Sequence, residues 1–188
     1  ASTYRVMCRP TGGEYFLLDA PLVRDYGAYG RADASGLNAG EYQFKVVALD
    51  AEGKELEGEV AESDKFTVKA HDRAGFAHLN HSGIGAYNDD GTLKSGAKVI
   101  YVTSSTAKTV TCGVVTKSNG APQMFTGLQA ILDARQKGYD KTPLAIRLIG
   151  TIEASDMDKF SSSSEGLQMK GKNAQAEMNI TLEGVGND

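Results

Sequence analysis

Alternation of apolar and polar positions is the first signal along the chain. Over residues 41–48 it places Tyr42, Phe44, Val46 and Ala48 on one face and Gln43, Lys45 and Val47 on the other. A period of two predicts a half-buried β-strand. Asp50-Ala51-Glu52-Gly53 reads as a polar turn closed by glycine, and residues 65–69 alternate again with Phe66 and Val68 on one side. Two strands around a short excursion suit antiparallel pairing. The run Lys98-Val99-Ile100-Tyr101-Val102-Thr103, and then residues 109–116, are rich in β-branched side chains and predict two more strands.

The period changes once. Leu128, Ile131 and Leu132 form an apolar stripe at helical spacing, with Arg135 following. Thr126 and Gln129 have capping-box spacing, and Gly138 stands where a helix end favours positive φ. Together they predict one substantial helix near residues 127–137. Pro143 blocks its continuation. Leu144-Ala145-Ile146-Arg147-Leu148-Ile149 then reads as a strand buried on both faces, as parallel strands are. After a serine-rich loop at 161–164 come Gly166-Leu167-Gln168-Met169-Lys170 and a second apolar run over 178–184. Both long runs end in glycine and lie too far apart for a tight hairpin, which predicts parallel strands in stacked or neighbouring coils.

These patterns divide the chain into a β module over residues 3–70, a polar linker over 71–97 and a second module over 98–188. The linker holds His71-Asp72-Arg73, Asn80-His81-Ser82-Gly83 and Asn88-Asp89-Asp90-Gly91.

Composition narrows the function classes. Apolar residues at 40% and charged ones at 23% describe a folding chain, not a disordered one. No apolar run approaches the ~18–20 residues of a membrane helix, so no membrane partner is expected. A net charge of −4 argues against nucleic acid. It also disfavours unaided binding to an acidic polymer, unless positive charge is local or a metal ion bridges. Cys8 and Cys112 are distant and lack a CxxC partner, so they read as unpaired or buried thiols.

One patch stands out as a candidate carbohydrate-binding site: Arg24, Tyr26, Tyr29 and Arg31, in a glycine-rich stretch ending at Asp33. Tyrosines can stack on sugars and arginines can pair with carboxylates. The competing reading is an inter-module contact or a loop folded over the first module. The absence of tryptophan weighs against a sugar platform. His71, His78 and His81 fit a solvated linker better than a zinc site, which wants a closed ligand set. Asp89-Asp90-Gly91 reads as a turn, since a calcium loop needs more carboxylates. Asp156 and Asp158 read as loop carboxylates, and Lys170 and Lys172 as surface lysines. No catalytic and no metal-ligating residue is assigned.

Two resemblances follow from longer motifs. Gly36-Leu37-Asn38-Ala39-Gly40-Glu41-Tyr42 resembles the corner before strand F of fibronectin type III domains, whose tyrosine hydroxyl bonds back to the corner backbone. Tyr4-Arg5-Val6 would then be a mid-domain strand, implying a sandwich without its first two strands. Leu128-Gln129-Ala130, Pro143-Leu144-Ala145-Ile146-Arg147-Leu148-Ile149-Gly150-Thr151-Ile152 and Asn179-Ile180-Thr181-Leu182-Glu183-Gly184-Val185-Gly186 resemble, in order, the opening of the family 1 polysaccharide lyases, the pectate lyases. Gly85-Ala86-Tyr87-Asn88-Asp89-Asp90-Gly91-Thr92-Leu93-Lys94 is similar to the lead-in of bacterial members carrying a fibronectin-like module.

The resemblance implies a mainly β chain: a fibronectin-III-like sandwich, then the capped N-terminal coils of a right-handed parallel β-helix. It implies a secreted, extracellular protein acting on plant cell walls. The complete enzyme would cleave polygalacturonate (pectin) by β-elimination, with calcium as cofactor. The family's calcium carboxylates and catalytic arginine belong to later coils, and nothing here matches them. The chain is therefore expected to be non-catalytic by itself, its open end meeting the remainder of the β-helix or a complementary chain. The alternatives are a non-catalytic pectin-binding module and a structural spacer.

Overall fold

The computed structural model describes residues 1–72, 74–75, 78–158, 166–169 and 179–186. The chain is mainly β, with several sheets and none closed. It forms two compact units, Ala1–Ala74 with Asp89–Thr92, and Gly75–Asn88 with Leu93–Asp188. The stretch expected as a linker is thus divided between them.

The first unit contains β1 (Thr3–Pro10), β2 (Phe16–Leu17), a 3-10 turn at Ala20–Leu22, β3 (Val23–Asp25), β4 (Gly30–Ala32), β5 (Gly40–Leu49), β6 (Glu55–Glu62) and β7 (Phe66–Val68). An antiparallel sheet runs β2-β1-β5-β6, with β7 also on β5. The register opposes Val6 to Val46 and Cys8 to Phe44, so the predicted apolar face of β5 meets an apolar face of β1. Val6, Cys8, Leu18 and Tyr42 are buried there, with Phe44, Val46, Phe66 and Val68 packed against them. The Phe44 and Phe66 rings stack at 4.9 Å. β3 and β4 form a separate two-stranded hairpin.

Two expectations are corrected in this unit. The excursion between the predicted strands is itself β6. Glu55, Glu57, Glu59 and Glu62 hide it from an apolar-pattern reading, and charge suits an edge strand that must not recruit another. The corner bond expected of Tyr42 is also missing. Its ring is buried and stacks on Phe66 at 6.1 Å, and its hydroxyl makes no hydrogen bond among the described residues.

The second unit contains β8 (Lys98–Val102), β9 (Thr111–Val114), β10 (Gln123–Thr126), α1 (Leu128–Arg135), β11 (Leu144–Leu148) and β12 (Ile180–Gly184). β9 and β10 pair as an antiparallel hairpin. β12, β11 and β8 form a parallel sheet in that order, as the two apolar runs predicted. The first residue of the second run, Met178, lies outside the described residues. One face of the sheet packs Ile100, Val102, Leu144 and Ile146 against Leu128, Ile131 and Leu132 of α1 and Cys112 and Val114 of β9. Cys8 and Cys112 are free, buried thiols.

The helix forms where predicted, but not by the predicted cap. Gly127 is the N-cap at φ 92, with no side-chain cap bond. Backbone carbonyls do the work: Gly127 N–H donates to Val110 O at 2.8 Å and Leu128 N–H to Ala107 O at 2.9 Å. A Cβ at Gly127 would sit 3.4 Å from Lys108 O, so the glycine admits the close approach. Thr126 ends β10, and the buried Gln129 is occupied elsewhere. Its amide donates to Asp133 at 2.7 Å and to Gln168 O at 3.1 Å, and its carbonyl accepts from Gln168 N–H.

Candidate functional site

The hairpin β3–β4 carries all four candidate residues. Arg24 and Arg31 are directly opposed across it. Tyr26 and Tyr29 flank a tight turn in which Ala28 N–H bonds Tyr26 O at 2.9 Å across Gly27, whose φ is 78. This γ-turn geometry needs glycine's freedom. Asp25 Oδ1 accepts from Gly27 N–H at 2.7 Å and fixes the turn. The two tyrosine rings stack on one another at 5.2 Å and 20°, and both are exposed.

Asp33, which the sequence reading noted only as the end of the patch, organises it. Its carboxylate accepts from Arg24 Nη2 at 2.7 Å, and from Arg31 Nε at 3.1 Å and Nη2 at 3.1 Å. Arg24 Nε also donates to the Tyr26 hydroxyl at 3.0 Å. Both guanidiniums are therefore engaged inside the hairpin. A ligand carboxylate would compete with Asp33 for them. Beside them lies a cavity of about 450 Å³ with an apolar floor of Val6, Val23, Ala32, Phe44 and Val46.

A second polar constellation sits in the second unit and escaped the sequence reading. Tyr101, Arg147 and Glu183 are register partners across the parallel sheet. Arg147 is buried, with Nη1 donating to Tyr101 Oη at 2.8 Å, Nη2 to Tyr87 Oη at 3.0 Å and Nε to Glu183 Oε1 at 3.0 Å. The Tyr87 hydroxyl donates to the same Glu183 oxygen. Burial pushes the Tyr87 phenol up to about 12, with the Glu183 bond adding to the effect. Burial opposes the charge on Arg147, but bonds to Tyr87 and Glu183 hold its pKa above the ordinary value. Arg147, Tyr87 and Glu183 close a triangle of bonds with Tyr101 attached through Arg147, and the cluster ties the three strands of the sheet together. Tyr101, Arg147 and Glu183 are each the fourth residue of their strand, a correspondence that emerges only from the strand pairing.

The remaining candidates are dispersed. Asp90 Oδ1 accepts from the Thr92 N–H and hydroxyl, which makes 89–92 a turn. Asp156 closes a 3-10 turn by accepting from Glu153 N–H at 2.8 Å. Lys170 and Lys172 lie outside the described residues. Among the described residues no three His, Cys, Asp or Glu side chains gather to hold a metal. Among them too, no helix is long and apolar enough to cross a membrane. No protein-family model, curated protein or solved structure matches the chain.

Proposed function

We propose that this chain is the N-terminal part of a secreted pectate-lyase-like protein, its first unit a fibronectin-III-like module and its second the capped opening coils of a parallel β-helix. The observation that supports this reading is the in-register stack of β8, β11 and β12. Strands widely separated in sequence lie side by side in chain order, and Ile100, Ile146 and Leu182 fall on one rung. Coils of a β-helix repeat in this way, each burying the face its neighbour exposes. Helix α1 packs against one face of this apolar layer, and on this reading it plays the part of the cap. In the complete protein the substrate is polygalacturonate, and bound calcium supplies the charge stabilisation for β-elimination. On this reading the metal and the base belong to later coils of the complete protein. With calcium present, the chain alone releases no unsaturated uronates from polygalacturonate; release would place an active site within it.

The exposed Tyr26–Tyr29 pair favours a second reading, a pectin-binding module. Affinity electrophoresis through polygalacturonate tests it. Binding should be weakened by Tyr26→Ala and strengthened by Asp33→Asn, which removes the anion competing for Arg24 and Arg31. Retardation unchanged in both variants removes the hairpin from consideration.

A further inference from the structure

β12 contributes little apolar surface to the core. Among the described residues it pairs with β11 alone. Leu182 is 39% exposed, and only Ile180 packs against the core. Its other face, bearing Thr181 and Glu183, lies on the side of the sheet away from α1, since side chains alternate along a strand.

That face is gripped by two short legs of chain, residues 83–88 and 93–94. Ala86 N–H donates to Thr181 Oγ1 at 2.9 Å, a contact spanning 95 positions of sequence. The Tyr87 hydroxyl bonds Glu183. Lys94 Nζ donates to Asn179 Oδ1, just before the strand, at 3.1 Å. Gly85 at φ 68 lies so near that a Cβ there would meet Thr181 Oγ1 at 2.2 Å and Ile180 O at 3.2 Å. The legs are joined to each other by Lys94 N–H donating to Ala86 O at 2.9 Å and by the Tyr87–Leu93 bridge. Ala86 is fully buried beneath this arrangement.

We infer that the legs are a latch for β12: strap and edge strand open and close as one unit, while α1 and β8 stay folded. Contacts to Asn179, Thr181 and Glu183, every second residue, also fix the register. A slip of one position would turn each of these side chains to the opposite face. A closed latch presents β12 in register for a further strand; an open one bares the edge of β11. The inference does not depend on the functional reading above.

Hydrogen exchange by mass spectrometry on the intact chain tests it with Tyr87→Phe, which deletes the bond to Glu183 along with the one from Arg147, and with Thr181→Val, which deletes the bond from Ala86. Exchange should rise together in 84–87 and 180–184, by roughly ten- to a hundredfold for Tyr87→Phe, whose lost partner is charged, and roughly three- to tenfold for Thr181→Val. Protection in 98–102 and 128–135 should not change. Thr181→Ser keeps the acceptor and should exchange like the parent. A rise confined to one segment, a rise spread over the whole unit, or a Thr181→Ser variant as labile as Thr181→Val would overturn the latch.

Discussion

Replacing Asp140 by alanine should destabilise the second unit by about 3–5 kcal/mol, the cost of leaving a buried charge without its partner. Arg135 and Asp140 meet at 2.8 Å with both side chains almost wholly buried. Asp140 also accepts from Val115 N–H at 3.0 Å and Thr142 N–H at 3.0 Å, so it joins β9 to the loop that precedes β11. Arg135 donates to Thr142 O at 2.7 Å and ties α1 to the same loop. The alanine variant strands a guanidinium and two amides. Burial raises the Asp140 carboxyl, but those amide bonds and the Arg135 charge outweigh it, and the net displacement is downward. The stabilisation is then fully present above the unfolded carboxyl value of about 3.9 and lost as pH falls through the lower folded value. Denaturant unfolding across that range measures it. The variant Asp140→Asn should lose this part of the acid dependence, and an unchanged acid limb would show that other carboxylates carry it.

Arg147→Ala should also cost about 3–5 kcal/mol. It removes the one group that bonds Tyr87, Tyr101 and Glu183 together and empties the space of a buried side chain on β11. Alkaline titration offers a finer reading. The folded Tyr87 value of about 12 lies above the unfolded phenol's ~10. Its stabilisation is complete below that unfolded value and lost as pH rises through the folded one. Tyr87→Phe should therefore flatten the stability profile in that window. Equal slopes in parent and variant would mean that the phenol is not held protonated by this cluster.

Periodicity carried much of the fold. β5, β8, β11 and α1 each bury an apolar face or stripe, and the pattern of two or 3.6 is legible because water imposes it residue by residue. The pairing of the two long apolar runs as parallel neighbours was likewise legible from their length and separation. β6 was not, because an exposed edge strand needs no apolar face. The helix cap was misread for a different reason: Thr126 and Gln129 have the right chemistry, but carbonyls of Val110 and Ala107 reach the helix end first. The candidate hairpin was located from its tyrosines and arginines. Asp33 was passed over as their organiser because local spacing does not reveal a shared counter-ion. Tyr87, Arg147 and Glu183 converge only once strands far apart in sequence are brought together, which no local pattern announces.

The most direct measurement is the lyase assay on polygalacturonate with the gene's full-length product. Calcium-dependent release of unsaturated uronates is expected, abolished by chelation and restored by added calcium, with none from this chain under the same conditions. A full-length product that folds yet leaves polygalacturonate uncleaved at every calcium concentration would contradict it.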